Sequence, residues 1–167
     1  YFSPAHTYSL QVSFLGLFPI LMSSNEPLKK EAVEKLESGE LFAFGVSEQP
    51  HGSDLLANEF SVRQTGGGGW LADGAKYYIG NANQAALVST FGKLAGTGEY
   101  VFFAVDPKRP GYELVQNVVA SQSYVAEFEL KDYPVAADEV LLQGREAWDA
   151  SLNTVNVGKY NLGWASV

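Results

Sequence analysis

The chain has no cysteine and only two histidines, His6 and His51. The first absence excludes a disulfide framework, a thiolate metal site and a cysteine nucleophile, and two histidines alone are a poor basis for zinc. No metal site is expected. Basic charge is also scarce: 11 Lys and Arg against 19 Asp and Glu give a net charge of −8. The paired basic residues Lys29-Lys30 and Lys108-Arg109 form no stripe of the kind that holds nucleic acid, and the first pair sits among Glu26, Glu31 and Glu34 as a solvated helix face. Long apolar runs are missing too. The segment from Leu10 to Met22 is interrupted by Gly16 and Pro19 and falls short of the ~20 apolar residues a bilayer span needs. It lacks the basic front and small-residue cleavage site of a signal peptide. It reads as a buried helix in a protein without a transmembrane segment, and the missing cysteines suit a reducing, cytoplasmic setting.

What is present points to a folded β-rich chain. Its 167 residues suit one domain with a sizeable core, or one domain plus parts of its neighbours, and 46% hydrophobic with 13% aromatic content excludes general disorder. The chain opens on Tyr1 and stops at Val167 inside a helical pattern with no capping Gly or Pro, so it reads as a piece of a longer protein. After the buried helix, Asn25 caps a second helix with Pro27 in its first turn, and Leu28, Ala32, Val33 and Leu36 share a face before Gly39 stops it.

From Leu41 the pattern becomes that of strands, rich in Phe, Val, Tyr and Ile. The expected strands are Leu41 to Val46, Glu59 to Gln64, Trp70 to Ile79, Ala86 to Lys93, Tyr100 to Val105, Tyr112 to Asn117 and Tyr124 to Leu130. Short strands at this spacing suggest a closed or sandwiched antiparallel β-domain. The stretch Thr65-Gly66-Gly67-Gly68-Gly69 lacks the Gly-Lys-Ser/Thr and following helix of a phosphate loop and reads as a hairpin turn. Asp73-Gly74 is a turn signal inside the next strand region, and Asp106 to Gly111 is a proline-fixed connection. From Glu146 onward Trp148, Leu152, Val155 and Leu162 return to helical spacing.

Hydrolytic chemistry finds little support. No Gly-x-Ser-x-Gly elbow exists, His51 and Ser53 are too close along one turn for a triad, and Glu48 and Asp54 give no sign of a paired-carboxylate separation. Cofactor binding fits better. A flavin presents a planar ring with hydrogen-bonding edges, so its site needs backbone amides, hydroxyls and an aromatic wall. Ser47, Ser53 and Tyr78 are of those types, although Tyr77 and Tyr78 taken singly are ordinary strand residues.

Five ordered segments add to this reading: Leu36-Glu37-Ser38-Gly39-Glu40; Ser47-Glu48-Gln49-Pro50-His51-Gly52-Ser53-Asp54; Gly74-Ala75-Lys76-Tyr77-Tyr78-Ile79-Gly80-Asn81; Val105 through Pro110-Gly111-Tyr112; and Phe128 through Pro134-Val135. Their order and spacing resemble the acyl-CoA dehydrogenase family over nearly the whole chain, the Gly-Ser-Asp loop being the most specific. The resemblance implies an acyl-CoA dehydrogenase middle-domain-like antiparallel β-barrel in a mainly β chain. Residues 1–39 would end an N-terminal helical domain, 40–145 form the barrel, and 146–167 begin a C-terminal helical domain.

It also implies FAD as cofactor and an acyl-CoA substrate. Phe44, Val46, Ser47 and Ser53 would line the flavin, Ser53 would also touch the acyl-CoA, and Tyr78, Ile79 and Gly80 would cover the ring. The implied reaction is α,β-dehydrogenation, with hydride passing to flavin N5. An electron-transfer flavoprotein would be the electron acceptor, and the full-length protein a homo-oligomer in fatty acid metabolism. The family's base would lie beyond Val167, so no catalytic residue is assigned and the piece alone is expected to be inactive.

Several positions depart from the family. Gly80 stands where the family has a threonine, Tyr78 replaces a tryptophan, Ser47 replaces a threonine, Gln49 replaces a proline, and Ser121-Gln122-Ser123 lacks an arginine. An acyl-CoA oxidase or flavin monooxygenase on the same scaffold, and a non-catalytic β-barrel binding module with a decayed flavin site, therefore stand as alternatives.

Overall fold

The computed structural model describes residues 4–121 and 124–166. Tyr1, Val167, and Gln122 and Ser123 of the Ser121 segment lie outside the described residues.

Two helices come first. Helix α1 (Pro4–Met22) contains the apolar segment, but it is buried along one side only: Leu17 and Ile20 lie in the core, whereas Leu10, Phe14, Leu21 and Met22 stay exposed. Helix α2 (Glu26–Glu37) starts where Asn25 accepts a hydrogen bond from the Leu28 amide at 3.1 Å. Only Leu28 and Ala32 of the expected apolar face of α2 are buried; Val33 and Leu36 stay exposed. No helix among the described residues is long and apolar enough to cross a membrane.

Eight strands follow: β1 (Leu41–Gly45), β2 (Ser61–Gln64), β3 (Trp70–Gly80), β4 (Ala85–Leu94), β5 (Tyr100–Val105), β6 (Tyr112–Asn117), β7 (Val125–Val135) and β8 (Val140–Gln143). Helix α3 (Gly144–Ala165) closes the described chain. The fold is mainly β with helices at both ends, as expected. The sheet order is β6-β7-β3-β2-β4-β5-β8, with β1 beside β4, so β6 and β8 are free edges and the barrel is not closed. Nor is it wholly antiparallel. Strand β4 pairs in parallel with β1 along its first half and with β2 at its end. Because β5 occupies the other edge of β4, β1 and β2 lie in succession along one edge, and the chain leaves the sheet between them as the loop from Val46 to Phe60.

Local chemistry accounts for the remaining differences. Thr65 to Gly69 is the expected hairpin turn, held by the Thr65 amide on the Gly69 carbonyl at 2.8 Å, with Gly68 at φ +83°. Asp73-Gly74 is not a turn. It is an irregularity within β3, where pairing to β7 slips between Ala72 and Gly74. Gly74 has φ +136°, and a Cβ there would come within 2.8 Å of the Phe60 ring.

Alternation along the strands builds two cores. On β5, Val101, Phe103 and Val105 face the cluster shared with β3 and β7, and Phe102 and Ala104 face the cluster shared with the helices. Both faces of β5 are therefore buried, and the sheet curls to bring β3 and β7 over β4 and β5. In the second cluster Leu17 and Ile20 of α1 meet Ala147 and Ala150 of α3 across Phe42 and Phe91. Both end helices are thereby fixed against the same side of the sheet.

Candidate functional site

Helix α1 reaches the sheet through three close contacts. The Phe42 amide donates to Ser13 Oγ at 2.9 Å, and Ser89 Oγ donates to the Gly16 carbonyl at 2.6 Å. At Gly16 a Cβ would lie 2.6 Å from the Ala43 nitrogen, so a side chain there would hold the helix off β1. The two helices meet as closely: Gln11 Nε2 donates to the Gly158 carbonyl at 2.8 Å, and a Cβ on Gly158 would stand 3.0 Å from Leu15 Cδ2. The face of α3 turned inward is thus built of small residues, Ala147, Ala150, Ser151, Thr154 and Gly158. The larger Leu152, Val155 and Leu162 are left to face elsewhere.

The loop after β1 is anchored by one side chain. Glu48 accepts hydrogen bonds from Asn58 Nδ2 at 2.5 Å, the Glu59 amide at 2.8 Å, the Phe60 amide at 3.0 Å and Lys76 Nζ at 2.9 Å. Lys76 is fully buried; it also donates to the Val46 carbonyl at 3.0 Å and sits 4.9 Å from the centre of the Phe60 ring. Burial alone would raise the Glu48 carboxyl, but the Lys76 ammonium and the Glu59 and Phe60 amides outweigh it and hold the group below its ordinary value. Burial depresses Lys76 to about 8 against the upward pull of Glu48. The two residues tie the loop to β3, and neither lines the cleft described below. His51 does not line the cleft either; its Nε2 lies 3.3 Å from Oε1 of the exposed Glu59.

The last residues of β3 are shaped by a second irregularity. Pairing with β7 slips between Lys76 and Ile79, and Tyr78 adopts φ +64°, a conformation uncommon for a bulky side chain. The residue is 58% exposed. Ser47 holds the bulge in place: the Tyr77 amide donates to the Ser47 carbonyl at 2.9 Å, and Ser47 Oγ donates to the Tyr77 carbonyl at 2.7 Å. The Ser47 proton is thereby committed, which leaves its oxygen as an acceptor. Asn81, at φ +65°, ends the strand and donates from Nδ2 to the Phe42 carbonyl at 3.2 Å.

These elements enclose a cleft of about 520 Å³. One wall is the exit of β1 with its loop, supplying Phe44, Val46, Ser47, Gly52 and Ser53. A second is the end of β3, supplying Tyr78 and Gly80. The helices complete it with Gln11, Val12 and Leu15 of α1 and Leu152, Val155, Lys159 and Leu162 of α3. Six of the seven residues singled out from sequence therefore share one cavity. Ile79 does not join them: it is 2% exposed and packs in the core between β3 and β7, so only its backbone adjoins the cleft residues on either side.

Sequence reasoning missed the helical walls. Leu152, Val155 and Leu162 were visible as an apolar stripe, but only the small residues at 147, 150, 151, 154 and 158 told which face packs inward. At Gly80 a Cβ would lie 2.7 Å from Val12 Cγ1. Val12 thus occupies the space that a side chain at position 80 would need.

The fold and cleft define a β-domain flanked by helices, with a ligand-sized cavity where strand ends meet helix faces. Three comparisons place it among known proteins. No family model matches the chain. Glutaryl-CoA dehydrogenase of Desulfococcus multivorans is 32% identical over 147 residues, which cover 83% of this chain and 38% of that protein. A glutaryl-CoA dehydrogenase solved in complex with glutaryl-CoA is 27% identical, with a TM-score of 0.77 over 98% of this chain and 45% of its own. An acyl-CoA dehydrogenase of Bacillus anthracis, solved with FAD, shares the fold with a TM-score of 0.87 over 95% of this chain and 28% of its own, at 24% identity. The chain is a relative of the acyl-CoA dehydrogenases in sequence and in fold, and it spans less than half the length of each of these relatives.

Proposed function

We propose that the chain forms the flavin-contacting part of an FAD-dependent oxidoreductase that acts on acyl-CoA thioesters. The observation that carries this reading is the convergence of Phe44, Val46, Ser47, Ser53, Tyr78 and Gly80 on one cleft from strands far apart in sequence. The donor set suits a planar heteroaromatic ring. Tyr78 and Phe44 offer aromatic faces, Ser47 offers an acceptor oxygen, and at Gly52 a Cβ would meet nothing within 4 Å, so the loop backbone is open to a ligand. The backbone of Ile79 contributes between Tyr78 and Gly80.

Bound FAD would supply the acceptor for a hydride from the acyl β-carbon. The residues of this chain would orient ring and thioester and keep water out: Ser47 holds the β3 bulge that presents Tyr78, Ser53 meets both ligands, and Val12, Leu15, Leu152 and Val155 give an apolar bed for an acyl chain. No catalytic base is assigned among them. The same reading divides the chain into 1–39, 40–145 and 146–167, with the helical parts belonging to flanking domains. It makes the piece inactive alone, its parent a homo-oligomer in fatty acid metabolism, and an electron-transfer flavoprotein the electron acceptor.

The test is a visible absorption spectrum of the protein as the cell makes it, followed by anaerobic titration with acyl-CoAs. A flavin band that bleaches on addition of one of them is the expected result. A colourless protein that takes up no added FAD would overturn the reading.

A further inference from the structure

Successive residues at the start of the cleft loop are held by successive residues of β3. Lys76 Nζ donates to the Val46 carbonyl at 3.0 Å and to Glu48 Oε1 at 2.9 Å, and between these contacts Ser47 and Tyr77 exchange their two hydrogen bonds. Ser47, which lines the cleft, is thus bracketed by two contacts to a single ammonium. The loop depends on that ammonium unevenly along its length. Glu48 keeps three further donors, Asn58 Nδ2 and the Glu59 and Phe60 amides, whatever the state of Lys76. The far end of the loop is therefore fixed by neutral donors. Its start at Val46 relies on a charged one, and such hydrogen bonds are roughly twice as strong as neutral ones.

Resting on the flavin reading of the cleft, we propose that Lys76 is a positioning residue whose proton draws Val46 and Glu48 onto β3, sets Ser47 and the Tyr78 bulge in the cleft wall, and so makes flavin affinity depend on pH. Among the described residues one charged group faces Lys76, the carboxylate of Glu48 from the loop. Its partner in register on β7 is Phe128, and from the lead into β2 it meets the Phe60 ring. Glu48 also borders a second cavity of about 260 Å³ with Glu59, Tyr77 and Glu127, and His51 lies against Glu59. That cavity shares no lining residue with the cleft and gives the buried pair a route for proton exchange with water. Burial holds Lys76 at about 8, so its charge is lost over a range well below that of an ordinary lysine.

The protonated lysine is the gripping form, so affinity is highest below that value and falls as pH rises through it. Stability has the opposite sign. A depressed lysine makes the unfolded chain the better proton binder, so the Lys76 contribution to stability rises over the same range. An affinity that falls while this contribution rises separates positioning from a merely structural role.

The natural protein is freed of flavin and titrated with FAD from about pH 6.5 to about 9, with flavin fluorescence and calorimetry as readouts that do not depend on turnover. The dissociation constant should rise about fivefold across this range, and binding near pH 8 should take up a fraction of a proton by reciprocal linkage. Both effects should vanish in Lys76→Met. Where that change alone prevents folding by leaving Glu48 buried without its partner, Lys76→Met combined with Glu48→Gln takes its place. In Ser47→Ala affinity should be lower throughout and the pH step smaller. Urea midpoints of the parent against the Lys76 variant at the same pH values give the stability trend.

A dissociation constant that stays level with pH would overturn the proposal, as would a step that persists with methionine at position 76, which would assign it to another group such as His51. So would a step of full size in Ser47→Ala, or a Lys76 contribution to stability that falls in parallel with affinity. In each of these cases FAD still binds and the proposed function stands. A protein that takes up no FAD at any pH removes both.

Discussion

Replacing Glu48 by alanine tests whether the site is positioned by the Glu48–Lys76 knot. The carboxylate accepts from two backbone amides, one side-chain amide and a buried ammonium, so the substitution strips four donors at once. Breaking a buried pair by deleting one partner costs about 3–5 kcal/mol, chiefly because the other charge stays buried without compensation. Lys76 is already depressed to about 8 with its partner present. Without Glu48 the upward pull is gone and Lys76 is depressed further, so the neutral amine is more readily reached, which puts the loss toward the lower end of that range. A fall in melting temperature of roughly 6–15 °C follows for a domain of this size.

Glu48→Gln keeps an acceptor for some of these donors and should lose less. Glu48→Gln combined with Lys76→Met should lose less than the sum of the single changes, since both charges leave together. Thermal unfolding gives the stability order, and hydrogen exchange at the Glu59 and Phe60 amides reports whether the loop is freed. A Glu48→Ala protein within 1 kcal/mol of the parent, with those amides still protected, would refute the assignment of the knot as the loop's anchor.

Gly16→Ala places a methyl 2.6 Å from the Ala43 nitrogen, where only a shift of α1 gives relief. It should cost about 1–3 kcal/mol or more in chemical denaturation, with loss of protection at the Phe42 amide. Stability should also depend on pH at both ends. Glu48 is held below 4.5 in the fold, so its contribution is present above that value and lost as pH falls through the folded pKa. Lys76 keeps its proton to about 10.5 unfolded but only to about 8 folded. Between these values the unfolded chain binds more protons, so the Lys76 contribution should raise stability with pH, and urea midpoints measured from pH 7 to 10.5 in the parent and in Lys76→Met check the sign.

The strands were legible because aromatic and β-branched runs between turn residues mark half-buried pleated segments wherever they pair. Tyr100–Val105 and Tyr112–Asn117 have the expected bounds. Val140–Gln143 was not foreseen: four residues running straight into Gly144 are too few to show a period. The parallel pairing of β1 and β2 with β4 was hidden for another reason. It depends on the loop from Val46 to Phe60 leaving and re-entering one edge, a long-range arrangement with no local signature. At the site, Ser47, Ser53, Tyr78 and Gly80 stood out as polar, aromatic or glycine residues at strand ends. The helical walls looked like ordinary apolar helix faces, and the bulge that turns Tyr78 outward required the register of β3 against β7.

Gly80 joins these two parts of the site. Taken from sequence alone, a glycine where the family resemblance implies a threonine reads as a lost hydroxyl. The structure shows that the volume is not empty, because Val12 of α1 enters it to 2.7 Å from where a Cβ would be. Helix and strand are complementary at this point, and a change at one position calls for a change at the other. Gly80→Thr alone should overpack the contact and destabilise by about 1–3 kcal/mol, either tilting α1 or forcing Val12 off its rotamer. Adding Val12→Ala removes two methyl groups and should recover most of that loss while setting a hydroxyl in the cleft wall. Thermal unfolding measures the recovery as a double-mutant cycle. Calorimetric titration with FAD then reads whether the new hydroxyl alters binding. A Gly80→Thr protein as stable as its parent would show that α1 yields freely at Val12, and the helical wall could not then be the rigid side of the cleft.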